Sequence, residues 1–314
     1  MDTPEHASIA ELRAQFQAAE TQVNQVIVGK PDVVRLTLTC LLAGGHLLLE
    51  DLPGVGKTTL AHAVASTFAF DFRRVQLTSD LLPSDLVGVS IYRRDLERFE
   101  FTPGPLFTQL LLADELNRGS PKTQSALLEA MAEQQITVDG QTRALPSPFF
   151  VIATQNPLEQ VGTFALPESQ LDRFLMTLNL GYPDAAAERL LLQGLDRRDV
   201  VRALRPLLSA SEVGALQNHV QSLKVSSALL DYLQRLIAVT RSAPEVRFGL
   251  SPRAGLALLK ATRALAFIEG RDYAIPEDVQ RVFVPVAAHR LALREGGADA
   301  RSVALSLLKR TAVV

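Results

Sequence analysis

Tryptophan is absent from the 314-residue chain, tyrosine occurs four times and cysteine once, and neither sign of charge prevails, with 32 basic against 34 acidic residues. Each scarcity excludes something. Aromatics at 6% leave few flat surfaces on which single-stranded bases could stack. A net charge of -2 supplies no global positive field for a phosphate backbone, so nucleic acid is not an expected partner. The single Cys40 rules out a disulfide within the chain, and its place in the apolar stretch 36–49 reads as a small buried hydrophobe. No run reaches the roughly 18 uncharged apolar residues of a membrane span. The best stretch, 255–267, is interrupted by Lys260 and Arg263. Residues 1–10 are polar and acidic and lack the apolar segment of a secretory leader. A cytoplasmic protein that does not span a membrane is expected. His6, His46, His62, His219 and His289 are scattered without a Cys or second His at ligand spacing, so they read as surface or packing residues.

Apolar residues at 47% and charged residues at 21% are ordinary for a globular protein, and the length suits two domains. Over 9–26, Ile9, Leu12, Phe16, Ala19, Val23 and Val26 recur every three or four positions, which predicts an amphipathic helix. Short apolar runs at 47–50, 74–77, 110–114 and 149–154 then alternate with helical stretches such as 58–68 and 121–134. Strands apolar throughout, alternating with helices, imply a mostly parallel sheet covered on both faces. Beyond Pro183 only helix signals remain. Ser209 with Glu212 forms a capping box, Ser251-Pro252 opens a helix over 253–268, and Pro276-Glu277-Asp278 opens another. The expected architecture is an α/β domain over 1–183 followed by an all-helical domain over 184–314, with no internal repeat. Two irregular insertions interrupt the first domain. Pro-Gly-Pro bars a helix from 98–107, and Asp139-Gly140 within 136–149 signals a hairpin.

Residues 47–59 read L-L-L-E-D-L-P-G-V-G-K-T-T: an apolar strand, a glycine-containing turn, then Lys-Thr opening a helix. This is the pattern of a P-loop. The backbone of Pro53, Gly54, Val55 and Gly56 wraps the phosphates of ATP, and the helix N-terminus at Lys57, Thr58 and Thr59 adds favourable partial charge. Lys57 reaches the β and γ phosphates, and the Thr58 hydroxyl holds Mg²⁺. Asp51 departs from the stricter G-x-x-x-x-G-K-[ST] pattern, which has glycine there. Residues 110–115, L-L-L-A-D-E, end a strand in two carboxylates 57 residues after Lys57. Asp114 is placed to hold the metal through its water shell and Glu115 to orient or deprotonate the attacking water. Residues 149–156 bring Asn156 to the end of another buried strand. Arg173, in L-P-E-S-Q-L-D-R-F at 166–174, is the candidate to neutralise charge developing on the transferred phosphoryl group. Arg253, in the first helical turn after Ser251-Pro252, is held rigidly enough to bring the helical domain onto bound nucleotide. Each of these has a plainer reading alone: a strand-end charge cluster, a turn former before proline, a solvated cation. Their order after a P-loop favours the chemical one.

The ordered set resembles the AAA+ superfamily and, within it, MoxR family ATPases. It comprises V-I-V-G-K at 26–30, D-L-P-G-V-G-K-T at 51–58, L-P-S-D-L-V-G at 82–88, F-T-P-G-P-L-F at 101–107, A-D-E-L-N-R at 113–118, A-T-Q-N-P at 153–157, L-P-E-S-Q-L-D-R-F at 166–174 and S-P-R at 251–253. The resemblance implies a three-layer P-loop core with a helical lid. Lys57 and Thr58 look like Walker A, Asp114 and Glu115 like Walker B, Asn156 like sensor 1, Arg173 like a finger acting on a neighbouring subunit and Arg253 like sensor 2. By the same resemblance Val28 and Gly29 lie near the adenine, Asp51 is a variation seen in the family, and the two insertions face a partner or a pore. Relatives of this kind act as chaperones that use ATP to mature or activate other proteins, often beside a partner with a von Willebrand factor A domain. A homo-oligomeric, hexameric ring binding ATP and Mg²⁺ is implied, with the client protein unnamed. A chelatase-like motor, a nucleic-acid motor and a nucleotide-gated scaffold stay open as alternatives. The charge balance and scarce aromatics weigh against the nucleic-acid motor, and an intact Glu115 weighs against the scaffold.

Overall fold

The computed structural model describes residues 8–156, 162–194, 197–294 and 299–313, so the polar start at 1–7 and Pro157 of the A-T-Q-N-P motif lie outside the described residues. Along the chain run α1 (Ile9–Val26), α2 (Pro31–Leu42), β1 (Leu47–Glu50), α3 (Lys57–Thr67), β2 (Phe72–Gln76), α4 (Pro83–Val87), β3 (Gly88–Arg93), β4 (Arg98–Pro103), β5 (Leu110–Asp114), α5 (Pro121–Glu133), β6 (Gln135–Val138), β7 (Gln141–Ala144), β8 (Phe150–Gln155), α6 (Glu168–Leu171) and β9 (Met176–Leu178). Then follow α7 (Ala185–Gln193), α8 (Arg197–Arg202), α9 (Ala210–Gln221), α10 (Ser227–Ser242), β10 (Val246–Phe248), α11 (Pro252–Ile268), α12 (Pro276–Ala287), β11 (Ala292–Leu293) and α13 (Ala300–Arg310).

Five strands form one parallel sheet in the order β2-β5-β8-β1-β9. Successive side chains leave opposite faces of a strand, and the core divides accordingly. Leu47, Leu49, Leu110, Leu112, Phe150 and Ile152 join one apolar cluster, whereas Leu48, Leu111, Ala113, Val151 and Ala153 join the other. The first cluster is continuous with α1, α2 and the helical segment beyond residue 208, through Phe16, Leu38, Leu258, Phe267 and Val282. The helical segment therefore shares a core with one face of the sheet.

The helix starts follow their sequence signals. Ser8, Ser209 and Ser251 cap α1, α9 and α11 through their side chains, and Pro252 takes the first position of α11. Asp139 and Gly140 both take positive φ, 52° and 74°, in the two-residue turn between β6 and β7. Four sequence expectations need correction. Strand β2 begins at Phe72, two residues before the expected 74, because it pairs with β5 from Phe72–Leu110 to Gln76–Asp114. As an edge strand it carries no continuous apolar run. β9, a three-residue edge strand, was not expected at all. The region 98–107 is half of a regular antiparallel hairpin, β3–β4, rather than an irregular insertion. That hairpin closes on glycine: a Cβ on Gly88 (φ 98°) would stand 2.3 Å from the Thr102 carbonyl. Beyond 184 a short antiparallel ribbon, β10–β11, joins the helices. Cys40 is buried with its thiol pKa pushed up by that burial, and among the described residues no helix is long and apolar enough to cross a membrane.

Candidate active site

Because the strands are parallel, the residues that follow β1, β5 and β8 emerge on one edge of the sheet, where ligands bind in open α/β folds. The loop after β1 turns through Gly54 and Gly56 at φ 84° and 103°, and α3 starts at Lys57. The Lys57 ammonium donates to the carbonyls of Asp51 (2.7 Å) and Leu52 (3.1 Å). Asp51 explains its own departure from glycine. Its buried carboxylate accepts the backbone N–H groups of Leu180 and Gly181, the latter at 3.0 Å, and so ties the start of the loop to the segment after β9.

Asp114 is buried, and each of its oxygens has a partner. Thr154 donates to Oδ1 at 2.6 Å and Arg74 to Oδ2 at 2.7 Å. The same Thr154 hydroxyl accepts the backbone N–H of Glu115 at 3.0 Å, which fixes the two acids relative to β8. Glu115 takes φ 54°, a left-handed conformation costly for a side-chain-bearing residue and found where function over-determines the backbone. Its carboxylate meets Arg118 at 2.9 Å. Pro53, Gly54, Gly56, Lys57, Thr58, Thr59, Asp114, Glu115 and Asn156 line one cleft of about 350 Å³, together with Arg74, Gln76 and Thr154. The donor set fits Mg²⁺, a hard ion held by one or two protein oxygens with phosphates and water. Thr58 and Asp114 share the cleft, and among the described residues no group of three or more His, Cys, Asp or Glu could cage a metal instead.

A second cavity of about 230 Å³ adjoins the loop, lined by Val28, Val55, Leu180, Tyr182 and Leu191 among others. Its walls are mostly apolar, as a purine ring requires. Gly29 is outside the lining; a Cβ there would meet Ala187 at 2.7 Å, so its role is close packing against α7. Lys30 braces the same wall by donating to the Tyr182 carbonyl at 2.6 Å.

Arg173 and Arg253 are absent from the linings of both cavities. Arg173 donates to the Leu128 carbonyl at 2.7 Å and faces a separate cleft beside Glu129 and Glu133. Arg253 stands 3.9 Å from Asp172. Asp172 is gripped by Arg290, whose guanidinium also donates to the carbonyls of Asp172, Phe174, Leu175 and Val286. The structure thus gathers Lys57, Thr58, Asp114, Glu115 and Asn156, and places the two arginines elsewhere, Arg173 beside Glu129 and Glu133 and Arg253 near Asp172. Arg74, Thr154 and Arg290 escaped sequence reasoning. A polar residue ending an apolar strand, as Thr154 nearly does, was the one available signal.

A parallel five-stranded sheet with a phosphate loop after its β1 strand, an acidic pair after β5 and a helical segment packed behind defines a P-loop ATPase of the AAA+ type, which hydrolyses ATP. Comparison with known proteins specifies it further. Residues 46–176 match the model of the ATPase family associated with various cellular activities (AAA), and 238–305 match an AAA lid domain. The chain is 47% identical to the uncharacterized protein YeaC of Bacillus subtilis, covering 88% of this chain and 86% of that one. It is 42% identical to Chaperone MoxR1 of Mycobacterium tuberculosis, covering 88% and 76%. A crystal structure of a candidate ATPase from Cytophaga hutchinsonii superimposes with TM-score 0.90 at 35% identity over 98% of this chain and 97% of that one. The chain belongs to the MoxR family of AAA+ ATPases.

Proposed function

We propose that the chain is the motor subunit of a chaperone-like ring, probing a partner protein or complex with cycles of ATP hydrolysis so as to mature or activate it. The observation that carries this reading is the convergence of Lys57, Thr58, Asp114, Glu115 and Asn156 on one cleft. In it the loop 53–59 and Lys57 hold the triphosphate, Thr58 and Asp114 hold Mg²⁺, and Val28 borders the adenine. Mg²⁺, when bound, neutralises phosphate charge and aligns the leaving group. Glu115 takes a proton from the attacking water, for which its pairing with Arg118 must open, and Asn156 orients that water. Arg173 faces away from its own cleft, which favours action on the cleft of a neighbouring copy in a hexameric ring, and Arg253 closes the helical segment onto nucleotide. The capping of α7 by Asp184 supports a break between nucleotide-binding and lid domains at 183/184.

The relative named Chaperone MoxR1 supports the chaperone reading. A partner carrying a von Willebrand factor A domain and a cytoplasmic location complete it. The test is a Glu115→Gln trap. This variant binds ATP while turnover falls about 10²- to 10³-fold, and the trapped assembly co-purifies a client protein. Recovery of nucleic acid in place of protein refutes the chaperone reading.

A further inference from the structure

We propose that Arg197, on α8, contacts the α-phosphate of the nucleotide, so that the helical segment holds a group common to ATP and ADP and stays engaged through hydrolysis. This deepens the reading of the cleft as an ATP site and rests on it.

Three cavities meet at Thr59. It lines the phosphate cleft with Lys57, Asp114 and Glu115, the adenine-sized cavity with Val28 and Leu191, and a third cavity of about 520 Å³ with His62 and Arg74. Arg197 borders the second and third of these but not the cleft. Gly54 and Gly56 line both the cleft and the adenine-sized cavity. A nucleotide with its base in that cavity and its β and γ phosphates at Lys57 therefore crosses at Gly54, Gly56 and Thr59. The part of ATP that makes the crossing is the ribose with the α-phosphate. Arg197 is the guanidinium on the adenine side of that crossing, away from the γ end.

The charges around the crossing single out the same residue. No carboxylate lines the second or the third cavity among the described residues. The other Lys and Arg side chains in their walls are engaged: Lys30 donates to the Tyr182 carbonyl, Arg74 to Asp114, and Arg202 lies 3.6 Å from Asp199. Arg197 is partly buried, and its Nε is buried without a hydrogen-bond partner. A buried donor left unsatisfied is costly, and a phosphate oxygen is the acceptor that a guanidinium fork fits best. The backbone that carries it is anchored. Val200 and Val201 pack on the core, and α8 packs against α3, the helix that begins at Lys57. The base of the Arg197 side chain is thus fixed relative to the phosphate loop, while its tip has a donor to give.

The test is calorimetric titration of ATP and of ADP, each with Mg²⁺, into full-length protein carrying Glu115→Gln so that nothing turns over. Adding Arg197→Met is expected to weaken both nucleotides by the same factor, about 10-fold, the scale of one charge-assisted hydrogen bond at a partly buried site. Arg202→Met removes the same charge from the same helix and is expected to change either affinity less than about 2-fold. Adenosine, with base and ribose but no phosphate, is expected to compete against a fluorescent ATP analogue equally well with and without Arg197→Met. Unchanged binding of both nucleotides in Arg197→Met overturns the contact. A loss confined to ATP also overturns it, by moving the arginine to the γ-phosphate. So does an equal loss for adenosine, which places the damage in the base cavity, or an equal loss in Arg202→Met, because general electrostatics then suffices. Failure of the Arg197-intact protein to bind either nucleotide refutes the reading of the cleft itself, whereas normal binding that ignores Arg197→Met refutes only the contact.

Discussion

The cleft around Lys57 and the corner around Arg290 are both organised by an arginine–aspartate pair, and the two pairs are built for opposite purposes. Arg74 reaches Asp114 with one hydrogen bond from a side chain that is 49% exposed. Arg290 is 4% exposed and commits all five of its N–H donors, to Asp172 and to four backbone carbonyls. A half-exposed pair exchanges partners cheaply, and a buried, fully satisfied guanidinium does not. The difference teaches where the molecule keeps its adjustable contacts. They lie at the Lys57 cleft, while the segment that presents Arg173 is held by Arg290 at Asp172 and Phe174.

The largest effect that separates the two pairs is on stability. Arg290→Met leaves Asp172 with Arg253 at 3.9 Å and removes a guanidinium donor from four carbonyls, of which Phe174 keeps His289. It is expected to cost about 3–5 kcal/mol in urea unfolding, against no more than about 1 kcal/mol for Arg74→Gln. Comparable losses for the two would erase the contrast.

Acid gives the next largest effect. His289 donates Nε2–H to the Phe174 carbonyl at 3.0 Å, and burial followed by the Arg290 charge lowers its pKa to about 3. His46 accepts the Val151 N–H at Nδ1 and donates to the Met131 carbonyl, and burial lowers its pKa to about 4. Both folded values lie below the unfolded one of 6.5, so the unfolded chain takes up protons first. Stability is complete above pH 6.5 and falls with acid, by roughly 1.4 kcal/mol per pH unit for each histidine, until each folded pKa is passed. His289→Gln should shallow that slope between pH 6.5 and 4, measured as unfolding free energy against pH. An unchanged slope would mean that His289 is not held neutral.

Much of this was readable beforehand, and the unread parts share a cause. The P-loop, the acidic pair after β5, Asn156 and the serine-capped helices are local patterns, each written in consecutive residues. β1 and β5 fall where their apolar runs stand. β9 is three residues long and does not announce itself, and edge strand β2 hides its start behind Arg73 and Arg74, so it was expected two residues late. Asp51 looked like a mismatch because its partners, Leu180 and Gly181, lie about 130 residues away in sequence. Arg74 and Arg290 act on carboxylates 40 and 118 residues distant, and no spacing rule reaches that far. Long-range pairing, rather than residue type, set the limit.

In the proposed ring, one chain would hold ATP by itself but hydrolyse it only with Arg173 of a second copy. Lys57→Ala protein has the arginine without a working cleft, and Arg173→Ala protein has the cleft without the arginine. Mixing the two is the most direct measurement. ATP turnover well above the sum of the separate proteins is the predicted result, and turnover equal to that sum, in assemblies shown to contain both variants, would contradict it.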